Sequence, residues 1–124
     1  IQAFNLIKKK IPNVRLLIVG TPDYPYYYRK LQELGKNGVV FTGFVSHKEL
    51  PQYYAACDIY ASCSLWEIHN LSAIEAKAVG KPVVTFDIDS FKEQAMSNHT
   101  LVPVKDINLF AEACIDKINQ VRSV

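Results

Sequence analysis

The sequence predicts an α/β fold, a parallel sheet with helices on both faces, and three observations carry that prediction. Short apolar runs at residues 14–20, 39–43 and 83–87 alternate with segments whose apolar side chains recur at helical spacing. The clearest run, Val14-Arg15-Leu16-Leu17-Ile18-Val19-Gly20, is almost continuously apolar, as expected of a strand covered on both faces. The alternation persists to the end of the chain, which calls for right-handed crossovers between parallel strands.

At 124 residues and 49% hydrophobic content, the chain reads as one domain over 1–124 with its own core. A formal charge of +2 is too small to imply a nucleic-acid partner. Lys8-Lys9-Lys10 is the one basic run, read as the solvated end of a helix; its other reading is peripheral contact with the anionic inner face of a membrane. Cys57, Cys63 and Cys114 are odd in number and lack C-x-x-C spacing. They indicate neither a disulfide framework nor a zinc site, and a reducing, cytoplasmic compartment is expected. No apolar run approaches the roughly 20 residues of a membrane span, and there is no signal-peptide pattern.

The elements follow in order. Apolar residues at 1, 3, 4, 7 and 11 predict a helix ended by Pro12-Asn13, and a helix beginning without a cap looks like a cut through a longer protein. After the strand over 14–20, Gly20 turns the chain into Thr21-Pro22-Asp23; one glycine is far short of G-x-G-x-x-G. Tyr24, Tyr27, Tyr28, Leu31 and Leu34 then mark a helix, its tyrosines expected to pack on the sheet rather than to stack on a base. The strand over 39–43 leads to Ser46-His47-Lys48-Glu49, a capping-box pattern opening a helix with Leu50, Tyr53 and Tyr54, with His47 expected to be exposed and inert. Residues 58–62 read as a short buried strand, and 74–79 as a helix stopped by Gly80 and Pro82.

Past the strand over 83–87, Ser90 is the expected cap of a helix over 91–96, and Leu101-Val102-Pro103-Val104 reads as an edge strand or strand end. Asp106 or Asn108 caps a last helix with Leu109, Phe110, Ala113, Ile118 and Val121 directed inward.

The chemistry concentrates at C-S-L-W-E-I-H-N-L-S-A-I-E-A-K-A-V-G-K-P-V-V, residues 63–84. This loop joins a strand's C-terminal end to a helix start, the place where open α/β sheets bind ligands and where unpaired amides suit an anion such as a diphosphate. Glu67 and Glu75 flank those amides. A carboxylate repels a diphosphate but accepts well from the vicinal diols of ribose or sugar rings, so a phosphorylated sugar ligand is expected.

The stretch resembles the E-x7-E signature of the retaining GT-B glycosyltransferases of family 4 (group 1), roughly P-S-x-x-E-G-F-G-x-x-x-x-E-A-x-A-x-G-x-P-V-V. Ser64, Glu67, Glu75, Ala76, Ala78, Gly80, Pro82, Val83 and Val84 match in register. Cys63 replaces the proline, and Ile68, His69 and Asn70 replace G-F-G, so β-branched Ile68 is expected to restrict conformation and room near the donor sugar. The following G-G-x-x-E survives only as Glu93. The resemblance covers nearly the whole chain, its specific motifs lying between Phe41 and Val84.

That resemblance implies the Rossmann-like C-terminal half of a GT-B fold. It implies a nucleotide diphosphate sugar as donor, with no further cofactor and no metal. By the same resemblance Glu75 holds the ribose, Glu67 touches the transferred sugar and is therefore the catalytic candidate, and Asn70, Leu71 and Ser72 offer amides to sugar or diphosphate. Ile68 and His69 line the donor sugar, while Val45 and Leu50 border the base. Gln2-Ala3-Phe4 aligns with the end of the family's first helix in this domain. The preceding strand, with the arginine and lysine that hold the diphosphate, and the acceptor domain are thus expected outside this chain, leaving it inactive alone. The alternatives are a non-catalytic receiver-like module, for which Asp87 is a poor phosphoacceptor, and a degenerate transferase domain.

Overall fold

The computed structural model describes residues 1–95 and 97–123. Eleven elements follow one another: α1 (Gln2–Lys10), β1 (Leu16–Ile18), α2 (Pro25–Leu34), β2 (Val39–Phe41), α3 (Leu50–Ala56), β3 (Tyr60–Ser62), α4 (Leu71–Ala78), β4 (Val83–Phe86), α5 (Asp89–Gln94), β5 (His99–Val102) and α6 (Ile107–Arg122). Every strand pairing is parallel, which is the predicted α/β architecture. The ladder is in two pieces, β1-β2 with Leu16 opposite Val39, and β3-β4-β5 with Tyr60 opposite Val83 and Val83 opposite His99.

Burial follows lateral neighbours. β4 has a strand on each side and is buried at all four positions. β1 and β3 each have one strand neighbour and are half-buried, with Ala61 exposed in the middle of β3. Full burial was expected for the runs over 14–20 and 58–62, and it belongs to β4 instead. Successive residues of β4 serve opposite faces. Val84 and Phe86 join Phe4, Ile7, Phe110, Cys114 and Ile118 under α1 and α6, where the Phe86 and Phe110 rings meet at 5.2 Å and 68°. Val83 joins Ala73, Ala76 and Phe91, with Tyr54 and Tyr60 packed against them. Helices therefore cover both faces of β4.

Several local expectations need correction. Ser46 does not cap a helix: Glu49 reaches back to Ser46 Oγ at 3.0 Å and to its amide at 3.4 Å, but α3 begins only at Leu50-Pro51, where proline's missing N–H costs nothing. No residue of α2 is buried; Tyr28 meets Phe41 edge-on at 5.2 Å, while Tyr24, Tyr26 and Tyr27 stay exposed. Lys8 is not simply solvated, since its ammonium folds back on the Pro12 and Val14 carbonyls. Ser90 lies inside the first turn of α5, whose N-cap is Ile88, and its buried hydroxyl has no partner among the described residues. The predicted end of that helix at Met96 lies outside the described residues.

β5 is an edge strand as expected, though it ends before Pro103. Asp106, not Asn108, caps α6, accepting from the Leu109 amide at 3.0 Å. The buried stripe of α6 is Phe110, Ala111, Cys114 and Ile118, whereas Leu109 points outward with 44% exposure. Phe110, Cys114 and Ile118 are buried together because i, i+4 and i+8 share a helix face.

Candidate functional site

The candidate site is built on the passage from β3 to α4. Asn70 is the N-cap: its Oδ1 accepts from the Ala73 amide at 2.9 Å and from the Tyr60 phenol at 3.3 Å. The helix therefore starts at Leu71, three residues earlier than periodicity suggested, because its start is set by the Asn70 cap and Leu71 and Ser72 are exposed. As first-turn residues, their amides point out of the helix start without intrahelical acceptors. The far end closes on Gly80, whose φ of +79° suits glycine; Lys81 N donates to Ala76 O and Gly80 N to Lys77 O, both at 2.9 Å.

Both glutamates are half-buried and each is held from inside. Glu67 Oε1 accepts from Ser64 Oγ at 2.9 Å and Asn70 Nδ2 at 3.2 Å, and Ser64 is tied to Ser62 at the end of β3. Glu75 Oε2 accepts from the Tyr54 phenol of α3 at 2.7 Å. Burial, followed by the bond to Glu75, pushes the Tyr54 phenol up to about 12, so it stays a donor at neutral pH. Burial likewise raises the Tyr60 phenol. Each carboxylate is anchored on one oxygen, which leaves lone pairs on the other for a ligand's hydroxyls.

A cavity of about 240 Å³ opens beside Glu75, lined by His47, Leu50, Pro51, Tyr54, Ala78 and Val79. Leu50 and Glu75 thus line the same cavity. Val45 is half-buried but not among the lining residues. His47 is exposed, as expected, yet faces this cavity. Ile68 and His69 are exposed on the Glu67 loop. Asn98 and Lys105 are the described non-glycine residues with positive φ, so the loop asks for no left-handed backbone where Ile68 and His69 replace glycine and phenylalanine. The expected conformational restriction by Ile68 therefore introduces no strain, and its side chain points to open space at 66% exposure.

A larger cavity of about 320 Å³ lies between the ends of β1 and β2 and α2, walled by Tyr24, Tyr27, Tyr28 and Phe41. Its lining contains neither glutamate and, apart from Asp23 and Thr21, little polar chemistry besides phenols; the smaller cavity is the better site. Asp87 and Asp89 turn to Lys92 at 3.6 and 3.8 Å. Among the described residues no group of three or more His, Cys, Asp or Glu is assembled to hold a metal. Ser64 is a motif position in the sequence, but its bond to Glu67 is not readable there, and neither Tyr54 nor Tyr60 is readable as a site residue. The only available signal for Tyr54 was its helical position after Leu50; nothing local announces that its hydroxyl meets a carboxylate 21 residues later.

Residues 1–120 match the family model described as glycosyl transferases group 1. Among curated relatives, mannosylfructose-phosphate synthase of Agrobacterium fabrum is 31% identical over 112 residues, which is 82% of this chain and 25% of that protein. The structure of a sucrose-phosphate synthase from Thermosynechococcus elongatus superposes with a TM-score of 0.84 at 26% identity, covering 98% of this chain and 33% of the other. A variant of S. aureus TarM in complex with fondaparinux, alpha-GlcNAc-glycerol and UDP superposes with a TM-score of 0.81 at 27% identity, over 95% of this chain and 24% of the other. The chain thus spans a quarter of the first of these synthases and a third of the second. No helix among the described residues is long and apolar enough to cross a membrane.

Proposed function

The chain belongs to the group 1 glycosyl transferases, and on that premise we propose that it is the donor-binding part of a retaining GT-B enzyme moving a sugar from a nucleotide diphosphate sugar to an acceptor bound elsewhere in the protein. The observation that carries this reading is the pair of carboxylates at the start and first turns of α4, each anchored internally on one oxygen. Such groups are aimed before the ligand arrives, which spares ordering cost on binding.

In this reading Glu75 accepts the ribose hydroxyls beside the cavity that takes the base against Leu50, with Val45 backbone at the base edge. Glu67 accepts donor-sugar hydroxyls, with Ile68 and His69 covering the sugar. The Leu71 and Ser72 amides, at the positive end of α4, face the diphosphate as negative charge builds on the leaving group. Asn70 contributes through its backbone, because its side chain is spent on the cap and on Glu67. The acceptor hydroxyl attacks from the face that the diphosphate leaves, and the departing phosphate oxygen takes its proton. An arginine and a lysine from outside this chain complete the charge balance.

The two glutamates provide the test. Calorimetry should find that Glu75→Ala weakens nucleoside diphosphate and nucleotide sugar alike, by about 1.5–3 kcal/mol for bonds to a charged group. Glu67→Ala should weaken only the nucleotide sugar and lower turnover. Equal losses for both ligands in both variants would show that the loop collapses as a unit and that the division of roles is wrong.

A further inference from the structure

The Tyr54–Glu75 contact adds a polar tie between α3 and α4, and both residues line the smaller cavity. At 2.7 Å it is a charge-assisted O–H···O bond, the stronger kind. Glutamate has more rotamer freedom to lose than most side chains, and a half-exposed one on a helix face would normally sample several orientations. Here one oxygen is fixed. The ring of Tyr54 packs beside Tyr60 against Ala73, Ala76 and Phe91, so the phenol stands on the core and not on a mobile loop. The Ser72 hydroxyl faces both phenols, and Tyr60 in turn donates to Asn70, whose amide donates to Glu67. The two carboxylates therefore share one polar scaffold behind the helix start.

We propose that Tyr54 is the positioning residue of the ribose site, its phenol clamping Glu75 Oε2 so that the carboxylate's remaining lone pairs face the diol of a bound nucleotide. This rests on the reading of Glu75 as the ribose acceptor. A phenylalanine at 54 fills the same space and keeps the packing on Ala73 and Phe91, so the fold does not need the hydroxyl. Recognition of the diol does.

The experiment compares the affinities of UDP, 2′-deoxy-UDP and 3′-deoxy-UDP for the wild-type protein, Tyr54→Phe and Glu75→Ala by calorimetry, with thermal unfolding alongside. GDP or ADP and their deoxy analogues take the place of UDP if uracil is not the base. The wild type should prefer the ribonucleotide by roughly tenfold or more, and Glu75→Ala should abolish that preference. Tyr54→Phe should lose about three- to tenfold of it while its unfolding temperature stays within a few degrees. A full wild-type preference in Tyr54→Phe, with Glu75→Ala lacking it, would overturn the positioning role and leave the ribose reading intact. No preference in the wild type would overturn the ribose reading itself.

A second variant carries the same test should Tyr54→Phe fail to fold. With 2,3-difluorotyrosine at 54 the ring and donor remain but the phenol is more acidic and ionises at a lower, still alkaline, pH. The groups facing it are Glu75, Tyr60 and Ser72. The preference should match wild type where the substituted phenol is protonated and fall where it is ionised and repels Glu75. A preference indifferent to that ionisation would overturn the proposal.

Discussion

Glu67 and Glu75 are both anchored, but by different means, and the difference predicts how each fails. Glu67 depends on Asn70, which also caps α4. Asn70→Ala should lose the cap and cost about 1 kcal/mol in denaturant unfolding. Asn70→Asp keeps a cap acceptor but puts a second carboxylate beside Glu67, so most of that stability should return while nucleotide-sugar affinity falls and free-nucleotide affinity does not. Recovery of both by Asn70→Asp would mean that Asn70 does not orient Glu67. His99 gives a prediction of another kind. Burial, and then the Lys77 charge, bring its imidazole down to about 4, and it is hydrogen-bonded to buried Thr85 at 2.8 Å. The unfolded chain takes up its proton near pH 6.5 and the folded one only near pH 4. Stability from the neutral ring is thus fully present above pH 6.5 and is lost as pH falls towards 4, by on the order of 1–2 kcal/mol after allowing for solvent screening. Unfolding free energies measured across that window should show the slope in wild type and a shallower one in His99→Leu. At this scale the two glutamates and their spacing were legible in the sequence, because E-x7-E is a local pattern. The phenols that serve the site were not, since Tyr54 meets Glu75 only after α3 packs beside α4.

Between elements, the turn from β4 into α5 bears on the chemistry, because it places Asp87 and Asp89 where a D-x-D pair could be mistaken for a metal site. Both carboxylates turn to Lys92, on the first turns of α5. The helix-start amides of α4, joined on the proposed reading by basic groups elsewhere in the protein, can balance a diphosphate without a cation. Transfer by the intact protein should therefore survive excess chelator, and Asp89→Asn should leave turnover within about twofold, as exposed ion pairs contribute little. Loss of activity restored by magnesium or manganese would show that the pair binds a metal after all. Element order and type were readable from alternating patterns, but phases and starts were less so. Leu109 reads as inward beside Phe110, whereas the buried stripe runs through Phe110, Ala111, Cys114 and Ile118, and the first turn of α4 carries exposed Leu71 and Ser72, whose helicity comes from the Asn70 cap. The tyrosines of α2 have helical spacing, yet spacing cannot say how much sheet lies beneath them; β1 and β2 offer a two-stranded patch that only Tyr28 reaches closely.

For the molecule as a whole, the parallel architecture followed from the sequence, whereas the division of the ladder into β1-β2 and β3-β4-β5 did not, because pairing is a property of what lies beside a strand. Both pieces nevertheless share one core: Leu16 and Val39 pack against the cluster that contains Phe4, Val84 and Phe110. That shared core, together with α1 packed beneath α6, predicts that the chain folds on its own and shows one cooperative unfolding transition. Donor recognition should survive in part, since Glu75, Tyr54, Leu50 and the α4 amides are all within these residues. Transfer should not. On the proposed reading transfer also needs a diphosphate clamp and an acceptor site from elsewhere in the protein, and removing one charge-stabilising donor alone lowers turnover by roughly a hundred- to a thousandfold. The 124 residues should therefore bind nucleoside diphosphate measurably in calorimetry while giving no acceptor-dependent product; slow hydrolysis of the donor would be compatible with this, as water needs no acceptor site. Acceptor-dependent transfer by these residues alone, with contaminating enzyme excluded, would mean that the chain carries an acceptor site of its own, and the tyrosine-walled cavity beside α2 would be the first place to look for it.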